Sequence, residues 1–278
     1  MRAIPCLLVA LVSVAPLFAQ QVGDPDFDAR VERPAFVRVH PKVLFDEGHH
    51  NVHKTSATYK AFAELLRNDG CVVDVNAGPF TAEALRGHRL LVIAGALGAP
   101  LDDEAHAKDP AFTPAEVEVV RRWVRDGGAL LLLTDHEPVA SSEEALVRAF
   151  GVVPGKTVVL DKEHHFEHFY PSNILASREN GLLADHPITR GVGRVVVFGG
   201  QALSFPKTAA VLIRVAHHGD GQAGALRFGR GRVVIAGDMG MLSAQLFTEN
   251  GVTNKWGMNV PGIDNRQLVL GIERWLLR

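Results

Sequence analysis

Two runs, LLVIAG (90–95) and ALLLLTD (129–135), constrain the fold most. Neither alternates apolar with polar side chains. A strand of this kind needs cover on both faces, the environment of a central strand in a parallel sheet. The segments around them alternate strand with helix. KVLFDE gives a first strand ending at Phe45, and Thr55 or Ser56 can cap the helix that follows. In it Tyr59, Phe62, Ala63, Leu65 and Leu66 recur at helical spacing, and Asn68-Asp69-Gly70 stops it. CVVDV (71–75) is a second strand, and residues 81–85 make a short helical turn. FTPAEVEVVRRWVRDGG (112–128) carries a capping box, with Thr113 at the N-cap, Pro114 after it and Glu116 closing it. Its buried stripe is Val117, Val120, Trp123 and Val124. A further helix, capped by Ser141 or Ser142, runs to Phe150.

Residues 151–190 are less regular. TVVL (157–160) reads as a strand, DKEHHFEHFYPSN as a loop and ADHPITRGV (184–192) as a connector. RVVVFGG (194–200) and AAVLIRVA (209–216) read as strands. ALRFGRGRVVIAGD (225–238) reads as a hairpin turning at 229–231. FTENGVTNKWGMNVPG reads as a long loop before a terminal helix over 264–277. Strand–helix alternation implies right-handed crossovers and a parallel sheet. The expectation is one α/β domain over residues 36–278: a three-layer, mostly parallel sheet with helices on both faces and an antiparallel hairpin at one edge.

Residues 20–35 are polar and contain proline, and read as an exposed lead-in. Residues 1–19 have the form of a secretory signal: Arg2, an apolar run over 4–14, a break at Ala15-Pro16 and a small Ala19. The run is short for a bilayer span, and no later run is long enough for one. Cys6 precedes the apolar run, so it does not fit a lipid-modified cysteine. A secreted or periplasmic protein is expected, with no stable membrane span once the signal is cleaved.

Several function classes fall away. The chain past residue 19 keeps one cysteine, Cys71, so no internal disulfide holds it. Cys71 begins a strand, the wrong end for a nucleophile, and reads as a buried apolar residue. The formal charge of −2 comes without the basic cluster a nucleic-acid surface needs. No G-x-S-x-G elbow, G-x-G-x-x-G loop or phosphate-binding loop is present.

Open α/β sheets bind ligands beyond the carboxyl ends of their strands. Parallel strands would bring four such ends to one rim: Asp46-Glu47-Gly48-His49-His50-Asn51, Gly95-Ala96-Leu97-Gly98, Thr134-Asp135-His136-Glu137-Pro138 and Gly237-Asp238-Met239-Gly240. Asp46, His49, His50, Asn51, His136 and Asp238 are the candidate ligand-binding residues. Asp46, His49 and His136 suit a divalent metal such as zinc, although no cofactor is implied outright. Glu47 or Asp135 is the candidate catalytic base for a metal-bound water. Solvation of strand ends is the competing explanation for all of them, and Asp238 can instead cap the segment that follows. His53, close to the helix start, reads as solvated.

HHFEH (164–168) matches the inverted zinc-protease pattern H-x-x-E-H, which needs a helix to bring its histidines together. Tyr170-Pro171 leaves little room for one. His164, His165 and His168 can instead form a lid, and His217-His218 suit a solvated turn.

VLFDEGHHNVHKTSATYKAFAELLRNDG, FTPAEVEVVRRWVRDGGALLLLTDHEP, GLLADHPITRGV with FGGQAL, and GRGRVVIAGDMGMLSAQL together resemble one family. It is a bacterial domain family of unknown function, often secreted, with a class I glutamine amidotransferase-like, flavodoxin-like fold. The resemblance spans about residues 40–277; GGALLLLTDHEP and NVPGIDNRQLVLGIERWL are its most specific blocks. Amidotransferases of that class place a cysteine in the turn after a central strand. Here that turn carries Asp135-His136-Glu137, so glutamine hydrolysis by the Cys-His-Glu route is not expected. Related sequences carry Gly-Glu-Ala-Ala-Met-Phe where this chain has Gly237-Asp238-Met239-Gly240-Met241-Leu242, an acid kept but shortened. The wider fold group includes trehalose-utilisation-like proteins and non-catalytic modules in transport and cilia, and fold does not fix function.

Three readings follow: a domain binding a polar small molecule or carbohydrate, a metal-dependent hydrolase, and a non-catalytic module with a protein partner.

Overall fold

The computed structural model describes residues 20–166, 170–216, 220–249 and 251–278. The expected signal at 1–19 lies outside them. In chain order the elements are β1 (Gln20–Gly23), β2 (Lys42–Asp46), α1 (Lys60–Asn68), β3 (Val72–Asn76), β4 (Leu90–Ala94), α2 (Pro114–Arg125), β5 (Ala129–Leu133), α3 (Val139–Ser142), α4 (Glu144–Ala149), β6 (Val153–Val158) and β7 (Asn173–Ser177). There follow β8 (Arg194–Phe198), β9 (Gln201–Ser204), β10 (Ala210–Arg214), β11 (Gly221–Phe228), β12 (Gly231–Ala236), β13 (Ala244–Glu249), β14 (Val252–Gly257) and α5 (Asn265–Leu276). No helix among the described residues is long and apolar enough to cross a membrane.

The central sheet runs β3-β2-β4-β5-β12-β11-β9-β6, with β10 also pairing β11. The ladders from β3 through β12 are parallel, as the two apolar runs imply. From β11 onward the pairing is antiparallel. Strand geometry sends alternate side chains to opposite faces, and two cores result. Val43, Phe45, Val92, Leu131 and Val234 pack with Phe62 and Leu65 of α1 and with Leu268 and Ile272 of α5. Leu44, Leu91, Ile93, Leu130 and Val233 pack with Val120 and Val124 of α2 and with Leu146 and Val147 of α4.

The α2 capping box forms as expected. Glu116 N donates to Thr113 Oγ1 at 3.3 Å, and Thr113 N donates to Glu116 Oε2 at 3.0 Å. The start of α1 differs: no side chain caps it, and Thr55 instead donates to Glu47. Ser141 and Ser142 do not cap either. Ser142 Oγ donates to Ala96 O, which ties the short α3 to the end of β4.

Two segments differ from expectation. β13 and β14 pair antiparallel where the sequence reads as a loop. The lead-in contributes β1, paired antiparallel with β13, and buries Asp24 and Ala29 while most of its other side chains stay exposed. Also, β8 pairs with β7 in a separate two-stranded sheet instead of joining the main one. Cys71 is buried, and its thiol donates to Glu273 at 2.9 Å.

Candidate functional site

The parallel register carries β2, β4, β5 and β12 to one rim, as the sequence implies. The two acid–histidine clusters on that rim have different fates.

At the end of β2, Asp46 is fully buried and its carboxylate is saturated. His49 Nδ1 lies 2.9 Å from Oδ2, Asn51 Nδ2 donates to Oδ2 at 3.0 Å, and Asn76 Nδ2 donates to Oδ1 at 2.9 Å. The other His49 nitrogen, Nε2, lies 2.9 Å from Glu116 Oε1. Phe80 and Phe112 pack against the His49 ring, with centroids 4.6 and 4.9 Å away. Glu116 therefore has two tasks: one oxygen closes the α2 cap, and the other accepts from His49 and from Phe80 N. Burial opposes the charge on His49, but the bonds to Asp46 and Glu116 outweigh it and raise the imidazole above its usual value. Burial likewise opposes the Glu116 charge, yet His49, Thr113 and the Phe80 amide bring its carboxyl down to about 2. This cluster is a sealed knot.

The expected metal ligands are therefore not gathered. Both His49 nitrogens are held by carboxylates, whereas a metal would need one of them free as a neutral donor. No group of three or more His, Cys, Asp or Glu among the described residues has the arrangement of a metal site. Glu47, the candidate base, accepts from Thr55 N and Oγ1, both at 2.7 Å, and pins the loop. His50 is exposed at a left-handed φ of 48°, and Asn51 is buried within the knot. None of Asp46, Glu47, His49, His50 or Asn51 lines the crevice described next.

At the ends of β5 and β12 the rim is open. A crevice of about 410 Å³ is lined by Asp135 and His136, by Phe198 and Met239, and by Gln21, Gln245 and Trp256 of the small β1–β13–β14 sheet. His136 is half-exposed, and its Nδ1 lies 2.5 Å from Asp135 Oδ1. That bond, joined by one to the Gly199 backbone, raises the His136 imidazole against the opposing effect of burial. Gln201 Nε2 donates to Asp135 O at 2.5 Å and fixes the turn from β9.

Asp238 lies fully buried behind the crevice. It accepts from Gly240 N and Phe198 N, both at 2.6 Å, and from Met241 N at 3.2 Å. Burial and the Asp135 charge push its carboxyl well up, and the three amides oppose them. Asp238 thus shapes the site by holding the chain, the capping role the sequence left open. Gly240 is required beside it, because a Cβ there would sit 2.6 Å from Trp256 Nε1.

Several residues escape the sequence reading. His53 is buried rather than solvated. It stacks on Tyr59 at 4.6 Å, bonds Thr58 Oγ1 at 2.7 Å, and burial lowers its imidazole to about 4, so it lines the crevice neutral. Glu143 is fully buried, accepts from Ala96 N at 2.7 Å, and is pushed well up by that burial. Trp256 packs on Phe198 at 4.8 Å. Gln245 is 1% exposed; its Nε2 donates to Ser243 at 2.6 Å, and its Oε1 has no hydrogen-bond partner among the described residues. The signal for the last two was only one tryptophan and one glutamine in a stretch that reads as loop. In the HHFEH stretch, His164 pairs with Asp161 at 2.8 Å and His165 bonds Lys162 O. His168 and His217-His218 lie outside the described residues.

No family model matches the chain, and no curated protein matches it. Solved structures do. The N-terminal domain of mmIFT52 aligns with a TM-score of 0.66 at 18% identity, over 85% of this chain and 97% of that one. Cytoplasmic protein STM3548 from Salmonella typhimurium aligns at 0.55 and 15%, over 85% and 98%. Cytoplasmic protein STM1381 from Salmonella typhimurium LT2 aligns at 0.51 and 16%, over 84% and 96%. At such identities the likeness shows the fold: mixed α/β, with a mostly parallel central sheet and added antiparallel strands.

Proposed function

We propose that this chain is one exported three-layer domain of the class I glutamine amidotransferase-like type, and that its crevice binds a polar small molecule, a carbohydrate in particular. The observation that carries the reading is the pairing of an aromatic wall with unsatisfied polarity. The half-buried Trp256, backed by the buried Phe198, lines the crevice with the kind of aromatic surface on which the C–H face of a sugar packs. Beside them Gln245, a crevice-lining residue, has a buried Oε1 without a donor among the described residues, a group whose burial costs free energy unless a shift of the side chain lets a ligand hydroxyl bond it. The half-exposed His136, raised by its bond to Asp135, adds a positively charged edge in the acid range.

Calorimetric titration with glucose, galactose, mannose and glucuronate tests the reading. At least one is expected to bind, and Trp256→Ala to abolish that binding while the fold is retained. A wild-type protein indifferent to all four at millimolar concentration would sink it.

A hydrolase is the second reading, and the Asp135–His136 pair favours it. A carboxylate-held imidazole facing a crevice is the arrangement of a general acid or base. A panel of chromogenic glycosides and esters should then turn over, with His136→Ala losing the activity; no turnover of any of them counts against it.

A further inference from the structure

A second hollow adjoins the crevice. Leu101, Glu137 and Pro138 line both, so the two make one groove. The second hollow has a volume of about 770 Å³ and adds Glu104, Lys108 and Ser141. Either volume alone falls within the range of small-ligand sites; the two in series suit something longer.

Both sides of the second hollow are held in place. The loop bearing Leu101 is closed at its base by Gly98 N donating to Ala107 O at 3.1 Å, and it leads into Ala111 N donating to Ser142 O at 2.9 Å. On the other side Ser141 Oγ donates to Glu137 Oε1 at 2.6 Å, and Lys156 Nζ bonds both Ser141 Oγ at 3.0 Å and Glu144 at 2.5 Å. Lys156 sits at φ 69°, with its N–H donated to Gln201 Oε1 and its carbonyl accepting from Glu137 N. A non-glycine residue persists there only when its surroundings fix it, and here they fix the Glu137 turn.

Leu101 is 55% exposed on the ridge between the hollows. The crevice offers aromatic surface at Trp256 and Phe198 beside polar Asp135 and His136; the shared Leu101 and Pro138 add apolar surface, and the second hollow adds the charges of Glu104 and Lys108. A pyranose chain presents both kinds of surface, apolar C–H faces and hydroxyl edges.

We infer that the groove receives a linear oligosaccharide, with its first units between Trp256 and His136 and the next crossing Leu101 into the Glu104–Lys108 hollow. This rests on the carbohydrate reading of the crevice.

The test is a length series: β-1,4-linked gluco-, manno- and galacto-oligosaccharides of one, two and four units, titrated into the full chain. Affinity in one series is expected to rise about tenfold or more from two units to four. Glu104→Ala/Lys108→Ala, a pair on the exposed far hollow, should return the four-unit ligand to two-unit affinity. An affinity that does not change with length overturns the extended groove and leaves the crevice reading standing. No binding by any member at any length overturns both.

Discussion

The ends of β2 and β5 carry the same letters: an aspartate at or just after the strand and a histidine one to three residues on. At β2 the pair became a sealed knot, and at β5 an open one. The difference lies in what arrives from elsewhere. His49 meets Glu116 from the α2 cap and is packed by Phe80 and Phe112, so both of its nitrogens are taken. His136 bonds Asp135 and also the Gly199 backbone, yet nothing aromatic seals it, and it stays half-exposed on the crevice wall. An acid–histidine motif at a strand end is thus not a site until what packs over its imidazole is known.

Three experiments sharpen or break this contrast. The largest effect is expected from Asp46→Ala. It strips His49, Asn51 and Asn76 of their common acceptor in a fully buried place, at a cost of about 3–5 kcal/mol by urea unfolding. A loss under about 1 kcal/mol would mean that the knot is not structural.

Next comes its pH dependence. The folded His49 value is raised, so its contribution is whole below the unfolded value of about 6.5 and is lost as pH climbs through the folded one. Glu116 is lowered to about 2, so its contribution is whole above the unfolded value of 4.5 and is lost as pH falls toward that figure. The stability gap between wild type and His49→Gln should therefore be widest between roughly pH 4.5 and 6.5 and shrink on both sides. A gap that is flat from pH 3 to 9 contradicts the paired geometry.

The smallest stability effect belongs to His136→Ala. A half-exposed pair contributes under about 1 kcal/mol, so the melting temperature should barely move. Affinity for any crevice ligand should fall about tenfold. A large unfolding penalty with intact binding would reverse the roles of the two ends.

The parallel ladder was legible because its central strands are apolar on both faces, and that pattern has few other outlets. The capping box of α2 was legible because it is local. The β13–β14 hairpin was not, since Val252 and the next three residues point largely to solvent. Their register is set by backbone pairing that leaves no hydrophobic alternation in TENGVTNK. The rim itself could be read from strand order, but its division into closed and open halves could not. His49 and Glu116 are 67 residues apart, and nothing near either announces the other. His53 was misplaced because its burial depends on stacking against Tyr59 beneath the rim. Trp256 and Gln245 reach the crevice only because β13 and β14 fold back over it.

The first strand of the described chain, β1, also has a practical bearing. It pairs along β13 and sets Gln21 in the crevice wall. A histidine tag fused just ahead of Gln20 would therefore join the chain one residue from the crevice wall and bring imidazoles of its own. Protein for titration is better tagged after Arg278, beyond α5. A preparation trimmed past Gly23 would bare one edge of β13, an open strand edge on which other chains can assemble.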